Sequence, residues 1–223
     1  MNVGLEKATK RFGKKIIFQN FSLTFAKGAV TALMGPSGCG KTTLLNSLAG
    51  LLPLDEGIRA GMEHLRVSYI FQEPRLIPFL NVRENIALVM KRRDDKIISH
   101  LLELVRMDGT ENQLPKALSG GMQQRVSFAR ALAFEPDWIL ADEPASNLDL
   151  ALKQSLYETL RSYAKERGIT VVMVTHDPYD AVRYADEVLV FSSSPMTVRL
   201  REKLKGADIA AITKRIVSLL EES

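Results

Sequence analysis

The sequence has few of the features that mark secreted or membrane-spanning proteins. It contains one cysteine, Cys39, which excludes an intrachain disulfide framework and is typical of a protein in a reducing compartment. Its richest apolar run, LLNSLAGLLPL (44–54), is shorter than the roughly 18 residues that cross a bilayer. The first residues lack the basic-then-apolar layout of a secretory signal. We therefore expect a cytoplasmic protein.

The net charge is small, and the sequence contains few histidines. The net charge is +4, from 30 basic and 26 acidic residues, so the charge balance does not point to a nucleic-acid partner, and we expect none. Of the three histidines, His64 and His100 have no placement that indicates a site, and we expect both on the solvated surface. A chain of 223 residues is long enough for one or at most two domains with a sizeable core.

Apolar runs alternate with helical patterns along most of the chain. Continuous apolar segments predict buried strands at 29–34, 69–74, 137–142, 169–175 and 186–191. Shorter strands are predicted at 3–5, 16–18 and 21–25. Helices are predicted at 41 to about 51, 122–133, about 150–166 and 207–220. From 82 to about 105 apolar residues recur at helical spacing, with the charged segment KRRDDK (91–96) exposed between segments. The alternation predicts an α/β fold whose mainly parallel sheet is covered on both faces, with an antiparallel start and a helix-rich middle as additions.

The segment GPSGCGKTT (35–43) matches a phosphate-binding loop between a predicted strand and a predicted helix. Its glycines let successive N–H groups point inward, and the helix N-terminus adds positive charge. We expect Lys41 to reach the β- and γ-phosphates, Thr42 to bind Mg²⁺ and Thr43 to hydrogen-bond near the phosphates. The candidate nucleotide-binding residues here are Gly35, Ser37, Gly38, Cys39, Gly40, Lys41, Thr42 and Thr43.

Cys39 has two interpretations. It is either a small residue at a variable loop position or a thiol whose pKa is lowered by electropositive surroundings. The second interpretation predicts that maleimide modification of Cys39 blocks ATP binding and that Mg-ATP protects the thiol.

Polar residues follow three of the predicted buried strands. Asp142 ends one strand and can hold Mg²⁺ through water, whereas the adjacent Glu143 can polarise a water against the γ-phosphate. His176 emerges after the next strand, where its imidazole can contact the γ-phosphate. Gln72 follows a third strand, and its amide can bind the metal or the attacking water. The alternative for the acidic pair is helix capping.

A second candidate phosphate site is LSGGMQQR (118–125). Ser119, Gly120 and Gly121 offer a hydroxyl and bare N–H groups at the start of a helix, which is either a plain cap or an anion site. The full string resembles the signature sequence of ATP-binding cassette (ABC) ATPases. The order of phosphate-binding loop, Gln72, signature, acidic pair and His176 matches that family across the whole chain.

The resemblance implies one ABC ATPase domain over residues 1–223. Such a domain has a P-loop NTPase core with a parallel sheet, an N-terminal antiparallel β subdomain, and a helical subdomain inserted at about 75–135. The resemblance further implies that ATP and Mg²⁺ bind, and that the signature caps the γ-phosphate held by a second copy, so that two chains pair head-to-tail. Phe12 then stacks on adenine, with core packing as the alternative. Asp149, in the loop 146–149, links the two sites across the dimer seam.

Three longer segments are similar to bacterial importer ATPases for nitrate, sulfonate, taurine and thiamine-precursor uptake, namely 71–86, 119–132 and 175–195. This resemblance implies integral membrane permease subunits as partners, indirectly a solute-binding protein, and a peripheral location on the inner face of the membrane. The apolar run 76–79 either receives a permease helix or packs under the helical subdomain. LADEPASNLD (140–149) is closer to ATPases of lipoprotein-release and small exporter systems, so an exporter is the alternative, followed by a soluble ABC ATPase without transport. The solute is not specified by the sequence.

Overall fold

A computed structural model describes residues 3–146 and 148–222. At the start of the chain, β1 (Val3–Phe12) and β2 (Lys15–Phe25) form an antiparallel hairpin that β4 (Glu56–Ile58) extends on the far side of β1. The two segments predicted at 16–18 and 21–25 are one strand, because Asn20 adopts a positive φ of 47° and absorbs an irregularity in the register. The antiparallel start is confirmed, and β4 is an addition that the sequence did not predict.

A six-stranded sheet forms the centre of the molecule, in the order β5-β6-β7-β3-β8-β9. Its strands are β3 (Val30–Met34), β5 (Val67–Ile70), β6 (Trp138–Asp142), β7 (Thr170–Val174), β8 (Glu187–Phe191) and β9 (Val198–Lys203). The first five strands in this order are parallel, and β9 pairs antiparallel with β8. Every residue of β3, β6, β7 and β8 is buried, which explains why these strands appear in the sequence as apolar runs without alternation.

Helices cover both faces of this sheet. They are α1 (Lys41–Ala49), α2 (Val82–Ala87), α3 (Asp95–Leu104), α4 (Gly120–Ala133), α5 (Leu150–Arg167), α6 (Pro178–Tyr184) and α7 (Ile209–Glu221). Successive residues of β7 show the two layers: Val171 and Met173 join a core with α2 to α7, whereas Val172 and Val174 join a core with α1 and the N-terminal hairpin. The predicted α/β fold is confirmed. None of the helices in the described ranges is long and apolar enough to cross a membrane.

One predicted strand was wrong in extent, and the structure defines where the helical region from 82 to about 105 is divided. The strand predicted at 69–74 ends at Ile70, because its single neighbour β6 pairs with it only as far as Ala141. Gln72 therefore lies in a bend after the strand. The helical region from 82 to about 105 is two helices divided at the charged segment 91–96, where Asp94 caps the second helix by accepting hydrogen bonds from the N–H groups of Lys96 and Ile97.

Smaller differences occur at other helix ends. The first helix ends at Ala49, where Gly50 adopts the left-handed conformation, and not at Leu51. Helix α4 begins at Gly120, two residues earlier than predicted, because Ser119 caps it. Helix α7 begins at Ile209, two residues later than predicted, because Asp208 caps it.

Candidate active site

The phosphate-binding loop connects the C-terminal end of β3 to the first residue of α1. Gly40 has a φ of 116°, and a Cβ at this position would collide with Cγ2 of Ile17 in the N-terminal hairpin. The position therefore requires glycine for both its backbone conformation and the space around it. The turn brings the N-terminus of α1 to the C-terminal edge of the sheet, which is where ligands bind in open parallel sheets.

Lys41 and Cys39 differ in what they present to the site. The Lys41 ammonium donates hydrogen bonds to the carbonyl oxygens of Gly35 (2.8 Å) and Pro36 (2.9 Å), and so it lies across the loop. Cys39 is 1% exposed and packs in the core under the N-terminal hairpin. Its Sγ lies 3.9 Å from Nζ of Lys41. The buried thiol favours the interpretation of Cys39 as a small loop residue that can offer a ligand only its backbone.

A cavity of about 340 Å³ opens beside this loop, within the size range of small-molecule sites. We call it the loop cavity. Its lining residues are Phe12, Lys15, Ile17, Ser37, Gly38, Gly40, Lys41, Thr42, Thr43, Glu143 and His176. Phe12 is 51% exposed, so it is not a core residue. Sequence reasoning missed Lys15 and Ile17, because only the pairing of β2 with β1 places them next to Phe12 and the loop.

Thr42 lines the loop cavity, and Asp142 lies behind it without lining the cavity. The Thr42 hydroxyl donates a hydrogen bond of 2.7 Å to Oδ2 of Asp142. Burial raises the pKa of Asp142, and the charge of Glu143 adds to this, whereas the Thr42 hydrogen bond and the Lys41 charge oppose it. A hydroxyl and a carboxylate are the ligands that Mg²⁺ takes when phosphates and waters complete its octahedron. In the described ranges there is no cluster of three or more acidic, His or Cys side chains that could hold a metal.

Glu143 follows β6 in a left-handed conformation with a φ of 47°, which turns its side chain away from the direction of Asp142. Its N–H donates to the carbonyl of Val174 at 3.2 Å and ties it to the end of β7. One carboxylate oxygen contacts Nε2 of His176, and the other accepts a hydrogen bond of 3.4 Å from the amide of Gln72. Three side chains from three strand ends thus converge on one point, with Glu143 at the centre.

The loop that carries His176 is held by an ion cluster that sequence reasoning missed. Lys153 in α5 contacts Oδ2 of Asp177 at 3.1 Å and Oδ2 of Asp180 at 2.6 Å. Burial raises the pKa of Asp180, and Lys153 partly offsets this effect. The N–H of Asp177 also donates to the Thr175 hydroxyl at 3.1 Å. We call Lys153, Asp177 and Asp180 the α5–α6 cluster. The sequence does not predict this cluster, because Lys153 is 24 residues from Asp177 in the chain and further from Asp180.

The signature residues lie elsewhere. Ser119 caps α4 by accepting a hydrogen bond of 3.2 Å from the Met122 N–H, and neither it nor Gly120 and Gly121 lines the loop cavity. A Cβ on Gly121 would lie 2.9 Å from Cδ2 of Leu148, in the loop that precedes Asp149. Asp149 caps α5 through the Leu152 N–H at 3.0 Å. In the predicted 146–149 loop, Asn147 lies outside the described residues.

A model of the ABC transporter family matches residues 18–146, more than half of the chain. The chain belongs to the ABC transporter family. An aliphatic sulfonates import ATP-binding protein of Pseudomonas syringae pv. tomato is 41% identical to this ABC protein over 192 residues, covering 85% of this chain and 82% of the relative. An Fe(3+) ions import ATP-binding protein of Fusobacterium nucleatum is 38% identical over 205 residues, covering 85% of this chain and 55% of the relative.

Two solved structures have the same fold as this ABC protein. A dimeric bacterial ABC transporter cassette superimposes with a TM-score of 0.81 and 32% identity, covering 92% of this chain and all of the other. A dimeric post-hydrolysis state with bound ADP and Pi superimposes with a TM-score of 0.80, the same identity and the same coverage. The predicted family and enzyme class are thereby confirmed: the protein is a nucleotide-binding ABC ATPase of a transport system.

Proposed function

We propose that this ABC ATPase powers an importer for a small solute, by pairing head-to-tail with a second copy around two Mg-ATP molecules. The observation that carries the proposal is the division of the predicted site into two separate parts. The loop cavity holds Phe12, Lys41, Glu143 and His176, whereas the signature Ser119 lies outside it. A partner's signature completes such a site.

Each residue has a role that its position supports. The exposed Phe12 ring stacks on adenine, and the loop residues, with Lys41 and Thr43, bind the phosphates. Thr42 and Asp142 hold Mg²⁺, which neutralises phosphate charge when it is bound. Glu143 accepts the proton of the attacking water.

Gln72 and His176 both contact the Glu143 carboxylate, so they orient the base and face the γ-phosphate. We also propose the Gln72 amide as a ligand of the metal, as the family resemblance implies. His64 and His100 are exposed and outside the loop cavity, in agreement with the surface positions expected for them.

ATP binding and dimerisation are coupled in this proposal. Gly120 has no atom within 4 Å of where a Cβ would stand, so its backbone is open to an incoming phosphate. Association costs several kcal/mol in lost freedom, and charge-assisted bonds from the signature to the γ-phosphate offset this cost. ADP lacks that phosphate, and hydrolysis therefore loosens the pair. Asp149 follows Leu148, whose side chain fills the space where a Cβ on Gly121 would stand, and we propose that Asp149 links the two sites.

Permease contact falls to the helical region that we propose as a subdomain at about 75–135. Leu76 and Ile77 are partly buried, and Leu76 packs on the main core, which suits the packing alternative for these two. Phe79 and Leu88 are 78% and 59% exposed, and they suit a cytoplasmic helix of a separate permease subunit. The protein is then peripheral on the inner face of the membrane. The names of the relatives favour import over the exporter alternative, with a solute-binding protein as an indirect partner.

The test compares wild type with Glu143→Gln by light scattering after size exclusion, in Mg-ATP and in Mg-ADP. We expect Glu143→Gln to run at about twice 24.8 kDa only with Mg-ATP, because a trapped γ-phosphate holds both signatures. Glu63→Gln, an exposed change of the same kind, is the matched control. A variant that binds ATP but stays monomeric contradicts ATP-driven pairing of the isolated subunit.

The permease contact has its own test. Phe79→Ser is expected to abolish co-purification of a membrane subunit, whereas Ile58→Ser, at a similarly exposed apolar position on β4, leaves it unchanged. Recovery of ribosomes or DNA in place of a membrane subunit contradicts transport.

A further inference from the structure

We propose that a second cavity, of about 400 Å³, binds a small organic anion with an apolar body and thereby regulates the ATPase. It lies between α3, the C-terminal end of α4 and the C-terminal half of α5, and we call it the α3–α5 cavity. The loop cavity and the α3–α5 cavity have no lining residue in common. Its volume falls in the range of small-molecule sites.

Basic residues outnumber acidic residues in the lining of the α3–α5 cavity. Lys91, Arg92, Lys96 and Arg167 line it, and within the described part of the chain none of the four has a carboxylate partner. The one acidic residue in the lining, Glu135, is 3.8 Å from Arg66, which lies outside the cavity. Four permanent cations around a low-dielectric wall attract an anion.

The neighbouring acids are engaged elsewhere. Asp94 uses its carboxylate to cap α3, and Asp95 pairs with Arg83 at 3.2 Å and with Arg93 at 2.9 Å. Within the KRRDDK segment (91–96), Arg93 is therefore neutralised by Asp95, whereas Lys91, Arg92 and Lys96 have no ion pair in the described ranges. Its cations on the cavity side are left for a ligand.

The floor of the α3–α5 cavity is apolar. Leu101, Leu132 and Ala133 are buried beneath it, and Ile97 stands at its rim with 43% of its surface exposed. The Arg167 guanidinium lies over the Tyr163 ring at 4.5 Å, which holds that cation at the edge of the apolar surface. An alkyl sulfonate or carboxylate has the matching chemistry, with an anionic head at the cations and an alkyl chain over Ile97 and Leu132.

The position of the α3–α5 cavity suggests what binding would control, and this step rests on the proposed function. The cavity touches the last residues of α4, whose first turn carries the signature, and the C-terminal half of α5, whose N-cap is Asp149. An occupant would bias the relative position of the two helices that meet the partner's nucleotide. A free anion in the cytoplasm could in this way change ATP-driven pairing.

The experiment titrates hexane-1-sulfonate into the full-length protein by calorimetry. We expect one saturable site, with at least tenfold weaker binding of inorganic sulfate and of 1-hexanol, because each lacks one half of the required chemistry. Arg92→Glu combined with Lys96→Glu is expected to weaken binding at least tenfold. Lys203→Glu combined with Lys214→Glu makes the same charge change at exposed positions away from the cavity and is expected to leave binding unchanged.

Three results would overturn the proposal. One is equal binding by the two double variants, and another is displacement of hexane-1-sulfonate by Mg-ADP, which occupies the loop cavity without driving pairing and would place the anion there. The third is binding to phosphatidylglycerol vesicles that depends on Arg92 and Lys96 while hexane-1-sulfonate fails to bind, since this patch would then meet lipid. Circular dichroism melts confirm that each variant is folded. ATP-dependent pairing of Glu143→Gln is measured separately, so loss of the anion site is distinguishable from failure of the proposed function.

Discussion

Replacing Lys153 by methionine tests whether the α5–α6 cluster holds the loop of the candidate catalytic histidine. The change keeps most of the aliphatic stem and removes the ammonium that contacts Asp177 at 3.1 Å and Asp180 at 2.6 Å. Side-chain exposure is 17% for Lys153 and 9% for Asp180, so the Asp180 carboxylate would be left nearly buried without its cation. Asp177, at 41% exposure, can be rehydrated.

The size of the effect follows from these exposures. Removing one partner of a fully buried ion pair costs about 3–5 kcal/mol. Because Asp177 regains water, we expect a loss of about 2 kcal/mol in the free energy of unfolding. For a chain of this length, 1 kcal/mol corresponds to roughly 2–4 °C, and the melting temperature should therefore fall by about 4–8 °C.

The loss should depend on pH in a defined direction. Burial raises the pKa of Asp180 above its unfolded value, and Lys153 opposes that rise. Removing Lys153 raises the pKa further, so the ionised carboxylate destabilises the fold at pH values above the folded pKa. The penalty disappears as the pH falls through that pKa and the carboxyl takes up its proton. We expect the difference in melting temperature to be larger at about pH 7.5 than at about pH 5.

Thermal unfolding followed by circular dichroism, without nucleotide, measures the difference. Lys153→Arg keeps the cation and is the matched control, with a small expected loss. In steady-state ATPase assays, Lys153→Met should lower kcat with little change in KM for ATP, because the α5–α6 cluster holds the His176 loop and leaves the phosphate-binding loop intact. An equal loss of stability at both pH values, or an equal loss in Lys153→Arg, would refute the reasoning.

Three further predictions concern the phosphate-binding loop and residues near it. Burial raises the pKa of Asp142, so its ionised form destabilises the protein near neutral pH. Asp142→Asn should therefore raise the melting temperature without nucleotide and abolish Mg²⁺-dependent ATPase activity. A lower melting temperature would contradict this reasoning. Phe12→Ala should weaken ATP binding about tenfold or more, because stacking on a base contributes about 1–3 kcal/mol. Titration with a fluorescent nucleotide measures the change, and Ile58→Ala, at another exposed apolar position, is the control. Cys39 is 1% exposed, so Ellman's reagent should modify it only in denaturant. The reactive-thiol interpretation predicts the opposite, namely that maleimide modifies the native protein and blocks ATP binding. Rapid reaction of the native protein would support that interpretation.

Much of the candidate site could be predicted because its signals are local. The glycine-rich turn at 35–43 can be predicted from consecutive residues, because it lies between an apolar strand and a helix. The acidic pair at the end of a buried strand is also a feature of consecutive residues. The helix start at Ser119 is also local, since the cap and its hydrogen-bond partner are three residues apart. Glycine and proline mark the turns for the same reason.

Extents of elements were less predictable. The strand before Gln72 ends where its neighbour β6 ceases to pair with it, which depends on residues about 70 positions later. The long helical pattern was divided by Asp94, whose capping bonds competed with continuation of the helix. Phe12 could be assigned to the core or to the surface from sequence, and only its place at the end of β1 beside the loop cavity decided between them.

The sequence by itself determined the α/β class, the phosphate-binding loop, the strand-end acids and the signature, because each depends on a pattern within about ten residues. Only the tertiary structure decided how they meet. The sheet order β5-β6-β7-β3-β8-β9 brings Thr42 against Asp142 across 100 residues of chain, and Gln72 and His176 against Glu143. It also brings Lys153 against the histidine loop, and among the described residues it leaves the cations of the α3–α5 cavity without a carboxylate partner. Pairing of parallel strands is set by burial on both faces and by crossover connections, and these forces act between segments that no local window contains.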